Sequence, residues 1–300
     1  MSTSESRLAV KTVLLCCPGR YQAYLANRLS EQTDLLGIVV VGASNHQQGK
    51  IKRLFANKNY FLKPWSLIRQ VYIRLRLQTY ESKTEELLQR HYPEFISRQS
   101  FPDVPVCHVD NVNASAAIDF VLMHQPDMLC VNGTNLLREP MLALSESVPS
   151  GIINLHTGLS PYARGGNCNL YCLLEEKPEL IGATVHYIDQ GIDSGDIICT
   201  IRPMINATDP YDFLESKVFI HGSDALLKSI PYIVNGTASR VQQWQEGKLF
   251  LRRTGYEYHP NQRLQANYKI EQGVLSDYLQ DQVSRDNDIR LVDLPSSDKQ

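Results

Sequence analysis

Residues Lys11–Cys16 form a short β-rich run that stops at Pro18-Gly19, and Tyr21, Leu25 and Leu29 then recur at helical spacing up to a polar break at residues 31–34. Residues 35–41 are a near-continuous run of Leu, Ile and Val, the pattern of a strand buried on both faces of a parallel sheet. The chain therefore opens as strand, helix, strand. Further strands are predicted at residues 104–109, at Met128–Asn132 and at residues 152–155, with a helix over Ser115–His124 between the first two. This alternation predicts an α/β fold with a Rossmann-like open, mostly parallel sheet, whose ligand sites lie beyond the carboxyl ends of the strands.

Beyond the sheet, Thr208-Asp209-Pro210 offers an N-cap for a long helix over residues 213–234. Residues 240–244 and 249–253 flank a polar, glycine-containing turn and read as a β-hairpin. From residue 276 onward there are six Asp and three basic residues with little apolar period, which predicts a frayed, disordered acidic tail. The expected organisation is a main α/β domain over residues 1–207 with a basic insertion at about 46–103, a helix and hairpin extension over 208–275, and the tail over 276–300.

Composition adds exclusions. Apolar residues make up 43% and charged residues 21% of the 300, which rules out a wholly disordered, collagen-like or coiled-coil chain. A net charge of -2 argues against a protein that coats DNA. The seven cysteines include no CxxC pair, so they are expected to be reduced, with no zinc site. The polar amino terminus has no signal-peptide pattern, and no run approaches a membrane span, so a cytoplasmic location is expected.

Charge is nevertheless segregated. Between Leu35 and Tyr80 the chain carries eight Lys or Arg, namely Lys50, Lys52, Arg53, Lys58, Lys63, Arg69, Arg74 and Arg76, and no Asp or Glu. Within this stretch Pro64 starts a predicted helix with Trp65, Ile68, Tyr72 and Leu75 on one face. A solvated basic helix packed on the sheet, capture of a phosphorylated substrate, and contact with an anionic membrane or RNA all fit this pattern. Periodicity also leaves open whether the helix meets a partner subunit, covers a site or lies on a membrane.

The chemistry-bearing stretch runs from residue 151 to 198. A buried strand ends in Asn154 and His156, which period two places on one face, followed by a Gly/Pro-rich loop through Pro161 and Gly165. A second β-rich run, residues 182–187, leads to Asp189, Gly191, Asp193 and Gly195. An amide, an imidazole and a carboxylate thus stand at strand ends among glycines that let a ligand approach the backbone. Singly, each has an ordinary structural explanation: a turn-forming Asn, a satisfied core His, an Asx-turn Asp.

As an ordered set, Asn154-x-His156, Pro161-x-x-x-Gly165, Gly182-x-Thr184-Val185-His186 and Asp193-x-Gly195-Asp196-Ile197-Ile198 resemble the formyltransferase family, whose members move a formyl group from 10-formyltetrahydrofolate to an amine. The resemblance is best over residues 128–204 and poor over 46–103. It implies a catalytic trio of Asn154, His156 and Asp193. Asn154 and a protonated His156 would donate to the developing oxyanion, while Asp193 would raise the His156 pKa and help accept the amine proton. It further implies a folate site built from residues 131–137 and 189–193, with Gly133, Thr134, Leu136, Leu137, Asp189 and Gly191 as contacts, and no metal or covalent enzyme intermediate.

Departures from the family pattern narrow the acceptor. Thr157-Gly158-Leu159-Ser160-Pro161 replaces the Ser-Leu-Leu-Pro that many members carry after the histidine. Cys16-Cys17-Pro18-Gly19-Arg20 lacks the phosphate loop of purine-pathway members, and the stretch after Thr208 is short for the barrel of the methionyl-tRNA branch. The resemblance therefore points to a small-molecule amine, foremost an amino group on a nucleotide-linked sugar, and away from nucleic acid. A homodimer is compatible with the sequence. A methionyl-tRNA formyltransferase-like enzyme, a formyltetrahydrofolate hydrolase and a non-catalytic folate-binding homologue remain the alternatives.

Overall fold

The computed structural model describes residues 7–42 and 64–295. The predicted opening unit forms as β1 (Lys11–Cys16), α1 (Arg20–Gln32) and β2 (Asp34–Val41). After α2 (Pro64–His91) and the short α3 (Pro93–Ser97) come β3 (Val106–Val109), α4 (Ser115–His124), β4 (Met128–Asn132) and β5 (Ile152–His156). These five strands pair in parallel in the order β3-β2-β1-β4-β5. The chain continues through β6 (Ala163–Gly165), α5 (Cys168–Leu174), β7 (Ala183–Tyr187) and β8 (Ile197–Ile201). β7 and β8 extend the β5 edge antiparallel, completing a seven-stranded, mostly parallel sheet.

Strand periodicity builds two cores from one sheet. Leu14, Cys16, Ile38, Val40, Met128 and Cys130 face α1 and α6 (Tyr211–Val234), whereas Val13, Leu15, Val39, Val41, Leu129 and Val131 face α4 and residues 137–148. Both faces are covered, so the strands read as continuous apolar runs rather than alternating ones. The strand order reverses between β1 and β4, and a ligand cleft is expected beyond their carboxyl ends. Gln22 Nε2 bridges this point by donating to Asn132 Oδ1 at 2.8 Å.

Four details depart from the sequence reading. No hairpin forms at residues 240–253: β9 (Lys248–Phe250) instead pairs in parallel with β6, and Val241 bridges Ile197. Gly247 explains the capture, because a Cβ there would lie 1.3 Å from the Pro161 carbonyl oxygen, so only glycine lets the two backbones meet.

The acidic stretch from residue 276 does not fray within the described residues. Following α7 (Pro260–Glu271), it forms α8 (Val274–Gln280) and α9 (Gln282–Asp286), with Leu275 and Tyr278 buried. Arg202 anchors Asp286 at 2.6 Å, and Val292 exchanges hydrogen bonds with Thr200. Specific partners in β8 and just after it thus supply what apolar periodicity did not; residues 296–300 lie outside the described residues.

Asp209 does not cap α6, where Pro210 occupies the N-cap position; its buried carboxylate instead accepts from the Asn206 amide and pairs with Lys217 at 2.6 Å.

The basic helix α2 packs through Ile73, Leu77 and Tyr80 onto Leu264 and Tyr268 of α7, not onto the sheet. The face carrying Trp65, Ile68, Tyr72 and Leu75 points outward. Of the eight basic residues, Lys50, Lys52, Arg53, Lys58 and Lys63 lie outside the described residues.

Candidate active site

Asn154 and His156 end β5 on one face, as period two requires, and the antiparallel register sets Asn154 opposite His186 and His156 opposite Thr184. The loop after His156 is tied to β7 by the buried Thr184 hydroxyl, which donates to the Gly158 carbonyl and accepts from the Ser160 amide, each at 2.8 Å. Gly158 is needed for space: a Cβ there would sit 2.3 Å from His156 Nε2.

The loop returns as β6, whose Ala163 carbonyl lies 3.1 Å from His156 Nε2. A carbonyl can only accept, so Nε2 carries the proton in the neutral ring and Nδ1 carries the lone pair. Nδ1 faces Asp193 Oδ2 at 3.5 Å. Burial lowers the His156 pKa and outweighs the opposing pull of Asp193. Asp193 does raise the His156 pKa, as the sequence reading expects, but the net shift is downward and favours the neutral ring over the protonated one, which corrects the expectation of a protonated imidazole.

Asp193 adopts a left-handed backbone, φ 48°, uncommon outside glycine and found where function imposes strain. Its Oδ1 accepts from Asn154 Nδ2 at 3.1 Å and its Oδ2 from the Gly165 amide at 2.9 Å. Burial opposes ionisation, but the Gly165 N–H and the positive charge that His156 or His186 carries when protonated outweigh it and hold the carboxyl well below the usual carboxylate range. Gln243 Nε2 steadies the turn by donating to the carbonyls of Asp193 and Gly195.

His186 Nδ1 lies 2.8 Å from the Tyr187 carbonyl and must donate to it, which leaves Nε2 to accept from Asn154 Nδ2 at 3.0 Å. Both amide hydrogens of Asn154 are therefore engaged, one by His186 and one by Asp193.

The trio lines a cavity of about 480 Å³ at the carboxyl ends of β4 and β5, and all six residues expected on the folate side, Gly133, Thr134, Leu136, Leu137, Asp189 and Gly191, line the same cavity. Their contributions differ. Leu136 is partly exposed, whereas Leu137 is largely sunk in the core. The Asp189 carboxylate folds back to accept from the Gly191 amide and the Ser194 hydroxyl, so it shapes its loop. A second cavity, about 620 Å³, lies beside α6 and residues 199–206 and holds none of the trio.

Sequence reading missed several lining groups. His186 was visible only as part of a motif, and its alignment with Asn154 needs the strand register. Gln22 and Glu215 come from helices distant in sequence. Glu215 accepts from Asn169 Nδ2, which also donates to the Thr157 carbonyl beside His156. Burial pushes the Glu215 carboxyl up to about 7.

Cys168 places its Sγ 3.7 Å from His156 Nε2. Burial drives that thiol well above its ordinary range, which opposes a thiolate nucleophile. Among the described residues no cluster of His, Cys, Asp or Glu has the makings of a metal site, and no helix is long and apolar enough to cross a membrane.

A profile of the formyl transferase family matches residues 70–230, more than half of the chain. A methionyl-tRNA formyltransferase from Bacillus subtilis (strain 168) is 30% identical over 145 residues, covering 48% of this chain and 44% of that protein. Another from Latilactobacillus sakei is 32% identical over 141 residues, covering 47% and 43%. The chain thus matches less than half the length of these curated relatives.

Among solved structures, a 4-N formyltransferase from Francisella tularensis superposes with a TM-score of 0.51 at 17% identity, covering 87% of both chains. A Mycobacterium tuberculosis protein provisionally named a sugar N-formyltransferase gives 0.52 at 15%, also over 87% of both chains. A phosphoribosylglycinamide formyltransferase from Anaplasma phagocytophilum gives 0.50 at 14%, over 81% of this chain and 99% of that one. These likenesses establish a shared fold. With more than half of its length matched by the family profile, the chain belongs to the formyl transferase family.

Proposed function

We propose that this protein moves a formyl group from 10-formyltetrahydrofolate to a primary amine, and that the amine is carried by a nucleotide-linked amino sugar. The observation that carries the reading is the convergence of Asn154, His156 and Asp193 on one cavity shared with residues 131–137 and 188–193. That cavity suits a flat heterocycle: Val131, Leu136, Leu137, Ile188 and Ile192 give apolar walls, and the backbone around Gly133 and Gly191 is open to approach.

In the transfer, the formyl carbon forms a bond to the acceptor nitrogen and loses its bond to the donor nitrogen. The acceptor gives up one proton and the donor nitrogen regains one. The folate, when bound, supplies the activated formyl group.

The side chains do the rest. His156 in its neutral form takes the amine proton at Nδ1, and the imidazolium so formed lies 3.5 Å from the Asp193 carboxylate, which stabilises it. Asn154 releases one of its two engaged N–H groups and donates to the negative charge that develops on the formyl oxygen.

Support for a sugar acceptor comes from further lining residues, among them Tyr21, Asn167, Glu215, Phe219 and Leu251, which combine aromatic rings with hydrogen-bonding groups suited to a hydroxylated ring. The likeness to the Mycobacterium protein over 87% of both chains supports it further. The curated relatives favour a second reading, a methionyl-tRNA acceptor. Purified protein supplied with 10-formyltetrahydrofolate and, in turn, nucleotide-linked amino sugars, glycinamide ribotide and methionyl-tRNA separates the two. Tetrahydrofolate release with the sugars alone is expected; release only with charged tRNA establishes the second reading.

A further inference from the structure

The amino-terminal half of α2 presents an apolar face to solvent that the active site does not use. Trp65 is 81% exposed, Ile68 59%, Val71 58%, Tyr72 52% and Leu75 60%, and at helical spacing they form one stripe. The opposite face is satisfied, since Ile73, Leu77 and Tyr80 pack on α7. An exposed stripe of this kind marks an interaction surface.

Charge identifies what meets it. By helical geometry Arg69 and Arg76 border the stripe on one side and Arg74 on the other, within a stretch from Leu35 to Tyr80 that has eight Lys or Arg and no acidic residue. The acidic groups near these cations lie off the stripe: Glu271 of α7 is 3.5 Å from Arg76, while Arg69 donates to neutral Asn261.

We propose that this half of α2 lies in the plane of an anionic lipid bilayer. Trp65, Ile68, Val71, Tyr72 and Leu75 sink to the level of the headgroup boundary, and the flanking arginines meet lipid phosphates. Two other occupants fit less well. A second copy docked on the same face by a two-fold axis would set the arginines that border this stripe against their own copies. RNA would engage the arginines but leave a five-residue apolar stripe without a partner. The inference is independent of which amine accepts the formyl group.

The test is co-sedimentation of the full chain with vesicles of phosphatidylcholine alone or mixed with one-third phosphatidylglycerol, at low and high salt. Binding is expected only to the anionic vesicles. It should weaken with salt and fall at least about tenfold both in Ile68→Ser/Leu75→Ser and in Arg69→Gln/Arg74→Gln, each with an unchanged melting temperature. The chain has two tryptophans, and Trp244 packs against Tyr162 and Arg290, so Trp244→Phe leaves Trp65 as the sole reporter. Its emission should move to the blue on anionic vesicles.

Absence of binding to anionic vesicles at low salt overturns the proposal, as does binding that the Ile68→Ser/Leu75→Ser change leaves intact. Concentration-dependent dimerisation abolished by that change, without vesicle binding, assigns the face to a second copy. Binding to tRNA but not to vesicles, lost with the arginines, assigns it to RNA.

Discussion

His156 Nδ1 stands 3.5 Å from Asp193 Oδ2, with the proton of the neutral ring held on the far nitrogen against the Ala163 carbonyl. The ring is thereby poised with its lone pair toward a carboxylate. Taking up a proton converts an unfavourable lone-pair contact into an ion pair, which suits a group that must accept a proton from an incoming amine.

His156→Ala and Asp193→Asn are each expected to lower kcat/KM by about 100- to 1,000-fold, the usual cost of removing one preorganised polar group from an acyl-transfer site. The Asn side chain keeps an acceptor for the Gly165 amide, so melting temperatures should stay near that of the parent. Steady-state kinetics together with thermal unfolding check this. Near-parental rates in both folded variants contradict the assignment.

The neutral ring is the working form, and burial lowers its pKa. Turnover should therefore hold at neutral pH and decline only as pH falls through a value below the ordinary histidine pKa of about 6.5. In Asp193→Asn the attraction that partly counters burial is gone, so the His156 titration should move lower still. NMR of the ring protons reads this directly. A rate that instead falls as pH rises through neutrality would mean that the protonated imidazole is active.

Much of this was legible in the sequence, and the limit has a physical cause. β1, β4 and α4 follow from local apolar period, and Asn154 with His156 from strand alternation. What was not legible depends on non-local contact. The Asn154–His186 bond needs the β5–β7 register, and β9 pairs with β6 because Gly247 lets the backbone reach Pro161. The residue 276–295 stretch is held by Arg202 and Thr200, which are distant from it in sequence. The outward face of α2 was an apolar stripe in the sequence, and only the packing of Ile73 and Leu77 shows that it is not the buried one.

Glu215 has a pKa pushed up from 4.5 to about 7 by burial. Between those values the unfolded chain has lost its proton while the folded chain retains it, so the group's contribution to stability declines as pH rises through this window. Glu215→Gln removes the penalty. It should stabilise the protein by about 1–3 kcal/mol at about pH 8 and change little near pH 4.5. Urea unfolding at the two pH values measures the difference, and equal effects at both would contradict a buried, proton-holding carboxyl.

Lys217 and Asp209 form a buried ion pair at 2.6 Å, and Lys217 also donates to the Met204 carbonyl. Asp209→Ala leaves a buried ammonium without its counter-ion and should cost about 3–5 kcal/mol. Replacing both by apolar residues should recover much of the loss. A double-mutant cycle in denaturant unfolding tests it: additive losses would show that the two residues act separately.

The central claim is that the Asn154, His156 and Asp193 site transfers the formyl group to an amine. The most direct measurement supplies 10-formyltetrahydrofolate labelled with carbon-13 in its formyl group together with a nucleotide-linked amino sugar, and follows the label by NMR. The prediction is a new formamide signal on the sugar that grows with wild-type protein and is abolished in His156→Ala. Label appearing as free formate at the same rate with or without the amine, or a formamide signal that His156→Ala leaves unchanged, would contradict it.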